Sequence, residues 1–164
     1  MANFPTGAQS FTLSLAEFAK AAPEQARTVV RKVSQEMLAK VVLRTPVGNR
    51  ELWAANIERK KKGLPLYPPG YVGGRLRANW NVGIGTIDTN TSAPPDKSGQ
   101  AAIAAGTAKI ATASGEMDIF ITNALPYAIP VEYGHSKKQA PAGMVRITVT
   151  EFQTYVDAAA RSAQ

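Results

Sequence analysis

The chain has 164 residues, 45% of them hydrophobic, and a formal net charge of +7. That length and apolar content suit one domain with a real core and exclude a disordered tail. The absence of cysteine excludes disulfides, thiolate metal sites and cysteine nucleophiles, and leaves the redox compartment open.

The first residues, MANFPTGAQSF, lack a basic stretch followed by an apolar one, so no secretion signal is expected. No apolar run approaches the roughly 18–20 residues that span a bilayer. A soluble protein of cytoplasmic origin, without membrane contact, is the expectation. Ser14-Leu-Ala-Glu17 has the pattern of a capping box and predicts a short helix to about Ala21. Pro23 then suits the first turn of a longer helix, which Pro46 must end by about Thr45. Within it Ala26, Val30, Val33, Met37 and Val41 recur at spacings of three and four, which predicts one buried stripe. Arg27, Arg31 and Lys32 lie largely off that stripe.

Glu51 to Lys62 suits one or two helical turns ending in a basic run. Leu64 to Gly74 (LPLYPPGYVGG) cannot continue a helix, because its prolines remove donors and its glycines favour turns. Ala78 to Gly85 alternates, with Trp80, Val82 and Ile84 on one face, which predicts a half-buried strand. Thr86 to Ser98 is polar and proline-containing, a mobile loop by composition. Gly99 to Ala113 is alanine-rich, with Ile103 and Ile110 seven apart, and predicts a small-faced helix despite Gly106. Met117 to Thr122 alternates as a second core strand.

Asn123 to Arg146 carries Tyr127, Tyr133, three prolines, two glycines and the only histidine, His135. A connector of this kind is expected to hold a specific shape and to contact something. After it, Val145, Val149, Phe152, Val156 and Ala159 follow a 4-3-4-3 spacing that marks a C-terminal amphipathic helix, although Arg146 to Thr150 is β-branched enough for a strand. The expected fold is a single α+β domain over residues 1–164. Its long N-terminal and C-terminal helices pack on a small, mostly antiparallel β-sheet, with a long inserted loop at about 48–74.

Reaction chemistry finds little support. Glu132, His135 and Ser136 sit too close in sequence to converge from separate elements as a catalytic triad. One histidine and scattered carboxylates give no metal-ligand spacing, so neither a metal nor a cofactor is expected. Gly70-Tyr-Val-Gly73 matches the G-x-x-G of KH domains, but prolines precede it and a strand soon follows. Arg75 and Arg77 near Trp80 suit single-strand binding by charge and stacking, or more simply a core tryptophan with rim arginines. The positive charge, spread along the chain, suits solvated faces, a polyanion or an acidic partner. No enzyme is expected.

Three blocks in order carry a resemblance: Val42–Val47 (VLRTPV), Gly73–Trp80 (GGRLRANW) and Ile121–Thr148 (ITNALPYAIPVEYGHSKKQAPAGMVRIT). With them the chain resembles the neck or tail-completion proteins of long-tailed bacteriophages, the family that includes the lambda-type tail-completion, minor tail component. The family pattern is similar to T-P-V-D-T-G-R-L-R-x-x-W, a strand, Y-A-x-x-x-E-Y-G-x-S and then A-P-x-G-M. Here Gly48 to Val72 separates the first two blocks, so the role of that insertion cannot be carried over. The resemblance implies a non-enzymatic virion protein of the neck or tail, made in the host cytoplasm. It would form a homo-oligomeric ring, typically hexameric, that completes the tail. Its partners would be the tail terminator or tail tube protein and the head-closure or connector proteins, with DNA passing through the lumen. Tail termination or head closure are the neighbouring roles. A ring needs two different patches on each subunit. The expected interface residues are Tyr127, Ile129, Val131 and Tyr133 in the connector and Leu66, Tyr67 and Tyr71 in the insertion. Arg59, Lys60, Lys61, Lys62, Lys137 and Lys138 are the candidate contacts to DNA or an acidic partner. A basic nucleic-acid-binding protein is the alternative from another class.

Overall fold

A computed structural model describes residues 7–114, 117–134 and 140–163, and for residues 7–22 the backbone alone. Helix α1 runs unbroken from Gly7 to Arg44, 38 residues, about 57 Å at 1.5 Å per residue. The two helices expected on either side of Pro23 are therefore one. Proline removes a single backbone hydrogen bond, and residues 23–26 are exposed, so no packing contact there forces a break. Pro46 sets the other end, as its φ and missing donor require.

A 3-10 turn at Arg50–Leu52 and helix α2 (Ala54–Lys61) follow, and then an irregular stretch leads to the single turn of α3 (Arg75–Ala78). Strand β1 (Asn81–Ile84) pairs antiparallel with β2 (Ile119–Thr122), Asn81 facing Thr122 and Ile84 facing Ile119. Between them lies α4 (Gln100–Ala111). Helix α4 packs closely on α1 because Gly106 has no side chain: a Cβ there would strike Leu38 and Val82. The glycine that weakens the helix by sequence is what lets it dock. The fold is α+β with a two-stranded antiparallel sheet.

The main core gathers Leu38 and Val42 from α1, Leu76, Trp80, Val82, Ile110 and Met144. A smaller cluster joins Val33 to Tyr155 and Ala159. Two expectations for α1 change here. Leu38 and Val42, outside the expected stripe, are its fully buried residues, whereas Ala26 and Val30 are exposed. The loop 86–98, polar by composition, is tied down by hydrogen bonds. Asn79 holds Ala93, Asn81 donates to the Asn90 carbonyl, and Asp96 accepts from Ser98 and the Ala101 amide. Those donors hold the Asp96 carboxyl down at about 2, the Ser98 hydroxyl contributing most.

The connector is not a loop throughout. It contains α5 (Ala128–Glu132) and leads into α6 (Val145–Thr150), which α7 (Phe152–Arg161) follows. The expected single C-terminal helix breaks at Glu151, whose φ is −96° and ψ 2°. Thr148 returns its hydroxyl to the Met144 carbonyl at 2.7 Å, a bond that bends helices. Arg44 then holds Glu151 at 2.8 Å and Thr148 at 3.0 Å, fixing the break against the end of α1.

Candidate functional site

The blocks that carry the resemblance meet in one hydrogen-bonded hub, buried at Thr45 and Trp80 and half-buried at Arg77 and Asn123. The Thr45 hydroxyl donates to the Val41 carbonyl at 2.7 Å and accepts from the Trp80 indole at 2.7 Å. Arg77 donates to the carbonyls of Thr45 (2.9 and 2.6 Å), Leu43 (3.1 Å) and Lys97 (2.7 Å). Its cation thereby caps the C-terminus of α1, where orphan carbonyls and the helix dipole favour it. Asn123 donates to the Leu76 carbonyl at 2.8 Å, joining the third block to the second. Trp80 is core, and Arg77 spends its donors on backbone carbonyls, whereas Arg75 is exposed at the rim.

Glu132 explains the spacing inside the third block. Its carboxylate accepts from the backbone amides of Met144 (2.7 Å), Val145 (2.9 Å) and Arg146 (2.9 Å), closing the first turn of α6. Burial works against its ionisation, yet these amides and the Arg146 side chain outweigh that and lower its pKa. Gly143 makes the approach possible: its φ is +81°, and a Cβ would strike the Glu132 carboxylate and carbonyl. His135, Lys137 and Lys138 lie outside the described residues.

The expected interface residues separate into three groups. Tyr71 from the insertion and Tyr127 and Val131 from the connector line one cleft of about 500 Å³ with Arg75. Burial pushes the Tyr127 hydroxyl up, with the Arg75 charge opposing and Tyr71 adding to the rise. Ile129 (69% exposed) and Tyr133 (72%) project outward, Tyr133 under the Arg146 guanidinium at 5.1 Å. Tyr67 is exposed in the insertion, whereas Leu66 is half-buried.

The insertion is held by its own bonds. Buried Asn56 donates to the carbonyls of Arg50 (2.9 Å) and Tyr67 (2.7 Å) and accepts from the Tyr67 amide. Trp53 meets Tyr71 edge-on at 4.9 Å. Its two ends touch, since a Cβ on Gly73 would strike the Gly48 carbonyl. An excursion whose ends meet leaves the flanking blocks placed as neighbours. Leu52, Ile57, Leu64 and Tyr67 then present apolar side chains to solvent.

A second, more apolar groove lies along α1. Val30, Val33, Met37 and Val41 of α1 face Val145, Val149, Phe152 and Val156 of α6 and α7 across a groove of about 550 Å³, with Trp80, Ile119 and Ile121 also lining it. These are the two stripes expected to be buried. Val149 is 53% and Phe152 45% exposed. Within those stripes Val33, Val41 and Ala159 are buried as expected, whereas Val30, Val145, Val149 and Phe152 stay at the surface. The overlooked signal is the width of the apolar arc on α1, where Leu38 and Val42 add a second face.

Much of the positive charge is used inside the fold. Arg31 donates to the Ala113 carbonyl beyond α4, and Lys32 to Ser162 beyond α7. In the basic run Arg59 donates to the Pro65 carbonyl and Lys61 pairs with Glu58, and Lys60, Lys61 and Lys62 are exposed. Among the described residues no cluster of His, Asp or Glu is placed to hold a metal, and no helix is long and apolar enough to cross a membrane. The arrangement offers apolar and aromatic surfaces for binding. No family model, curated protein or solved structure matches the chain.

Proposed function

We propose that this chain is a structural virion protein that forms a ring at the head–tail joint of a long-tailed phage. In this reading it completes the tail and connects it to the head-closure proteins. The observation that supports it most is the pair of unlike apolar surfaces on one subunit. One is the concave groove between α1 and α6–α7. The other is the exposed apolar set of the insertion, Leu52, Ile57, Leu64 and Tyr67. Exposed apolar surface on this scale marks contact sites, and a ring requires two different faces that meet head to tail. The hub built from the VLRTPV and GRLRANW blocks adds coherence, because residues far apart in sequence that define the resemblance also meet in space.

The test is genetic and structural. Phage made without this protein should accumulate unjoined heads and tails, and adding the purified chain should restore joining. Normal virions assembled without it would refute the reading. A basic nucleic-acid-binding protein is the second reading, favoured by the exposed Lys60, Lys61 and Lys62 at the end of α2. It expects DNA affinity whose logarithm falls steeply with the logarithm of salt concentration, and weakening on charge reversal of those lysines. No binding at low salt would remove it.

A further inference from the structure

The groove needs an occupant, and α1 itself carries a suitable one. In the sequence Phe11, Leu15, Phe18 and Ala22 recur at spacings of four, three and four, the pattern of an apolar helical stripe. All four belong to the backbone helix Gly7–Arg44. Helix α1 begins to line the groove at Val29 and ends doing so at Val41, a span of about 18 Å at 1.5 Å per residue. Phe11 to Ala22 spans about 16 Å by the same rise. The two lengths match.

The segment cannot fill its own groove while α1 stays continuous. Phe18 precedes Val29 on one helix, about 16 Å along its axis, so it is carried away from the groove. Residues 23–26, between the two regions, are exposed, so the segment leaves the domain through a solvated length of helix. Pro23 lies in that length and lacks the amide that would tie it to the preceding turn. The segment is therefore able to change direction there without breaking a packed core.

We propose that the groove receives the N-terminal segment of α1, the stretch whose sequence carries the Phe11–Ala22 stripe, from a second copy of the chain. This deepens the ring reading and rests on it for the geometry. Each subunit gives a helix to one neighbour and accepts one from the other, a heterologous contact that closes when the rotation closes. Recognition is that of an amphipathic helix in an apolar groove, with anchors one turn apart. Solvent-exposed valines and a phenylalanine become buried without any change in the domain core.

The absence of natural cysteine makes the test clean. Full-length Phe18→Cys and Val149→Cys proteins are mixed at their highest soluble concentration and mildly oxidised. A disulfide joining the two different variants is expected, well above that formed when Thr89→Cys, at an exposed position outside both apolar surfaces, replaces Phe18→Cys. The double variant Phe18→Cys/Val149→Cys should give a ladder of covalent multimers. A disulfide confined within one chain, or mixed dimers no more abundant than with Thr89→Cys, would overturn the proposal. Melting curves of each variant check that the domain is folded, and Met37→Cys in place of Val149→Cys supplies a second groove position should that variant unfold. The outcomes separate the two readings. Cross-links with a protein dispensable for head–tail joining would keep the exchange and discard the neck role. No cross-links, with particles that fail when Val149→Asp is introduced, would keep the neck role and give the groove to another protein.

Discussion

The hub around Thr45 and the groove beside it are built from neighbouring stretches of the same helix, and they behave in opposite ways. In the hub, buried and half-buried polar groups each find a partner: Trp80 on Thr45, Arg77 on the last carbonyls of α1, Asn123 on Leu76. In the groove, apolar groups are exposed and lack cover: Val30, Val149 and Phe152. Buried polar groups are costly unless satisfied, so the hub fixes one fold. Exposed apolar groups gain free energy only when something covers them, so the groove adds little to the stability of the isolated chain. Residues of the resemblance blocks thus serve both regions: Thr45, Arg77 and Asn123 tie the scaffold together, while Trp80, Ile121 and Val145 also line the groove.

The largest expected effect breaks the hub. Trp80→Ala should cost about 3–5 kcal/mol, as for other buried aromatics, read as a lower urea midpoint with unchanged slope. Thr45→Val, which keeps shape but leaves the indole N–H without its acceptor, should cost roughly 1–3 kcal/mol. A comparable loss from Val149→Ala would erase the distinction between hub and groove.

Next comes the Glu132 cap. Gly143→Ala forces a side chain into a φ of +81° and onto Glu132, and should cost about 1–3 kcal/mol in thermal unfolding. Glu132→Gln should cost roughly 1 kcal/mol at neutral pH, the usual scale of a helix cap. The Glu132 pKa is lowered in the folded chain. Its contribution is therefore complete above the unfolded carboxyl value, about 4.3, and is lost as pH falls through the lower folded value. The gap between wild type and Glu132→Gln should close in acid. A gap that stays constant with pH would remove the charge from the explanation.

The smallest effect on stability should come from the groove itself. Val149→Asp and Phe152→Ser change exposed positions and should shift stability by no more than about 0.5 kcal/mol. Self-association, followed by light scattering at rising concentration, should fall sharply in both. Unfolding of these variants would place the two residues in the core after all.

The sequence reading reached the fold well where local rules act alone. The end of α1 at Pro46, helix α4 and the presence of both strands follow from proline geometry and from periods of 3.6 and two. The strands are shorter than expected, Asn81–Ile84 and Ile119–Thr122, and neither buries alternate residues. It failed where tertiary contacts decide. Pro23 was read as a start because proline suits a first turn, yet it lies inside a helix that nothing nearby interrupts. The break at Glu151 depends on Arg44, more than a hundred residues away. The site was legible only in part. Tyr71 and Tyr127 were both named, but their convergence on one cleft depends on how the insertion folds back over Asn56. Val30, Val149 and Phe152 lie exposed on stripes that also hold buried Val33 and Val41, because periodicity identifies an apolar face and not what covers it.

The most direct test is a reconstruction of the head–tail joint from intact particles. The account predicts a closed ring of this chain, with each groove filled by the N-terminal helix of the adjacent subunit. A joint that lacks the chain, or one whose grooves stand open to solvent, would contradict it.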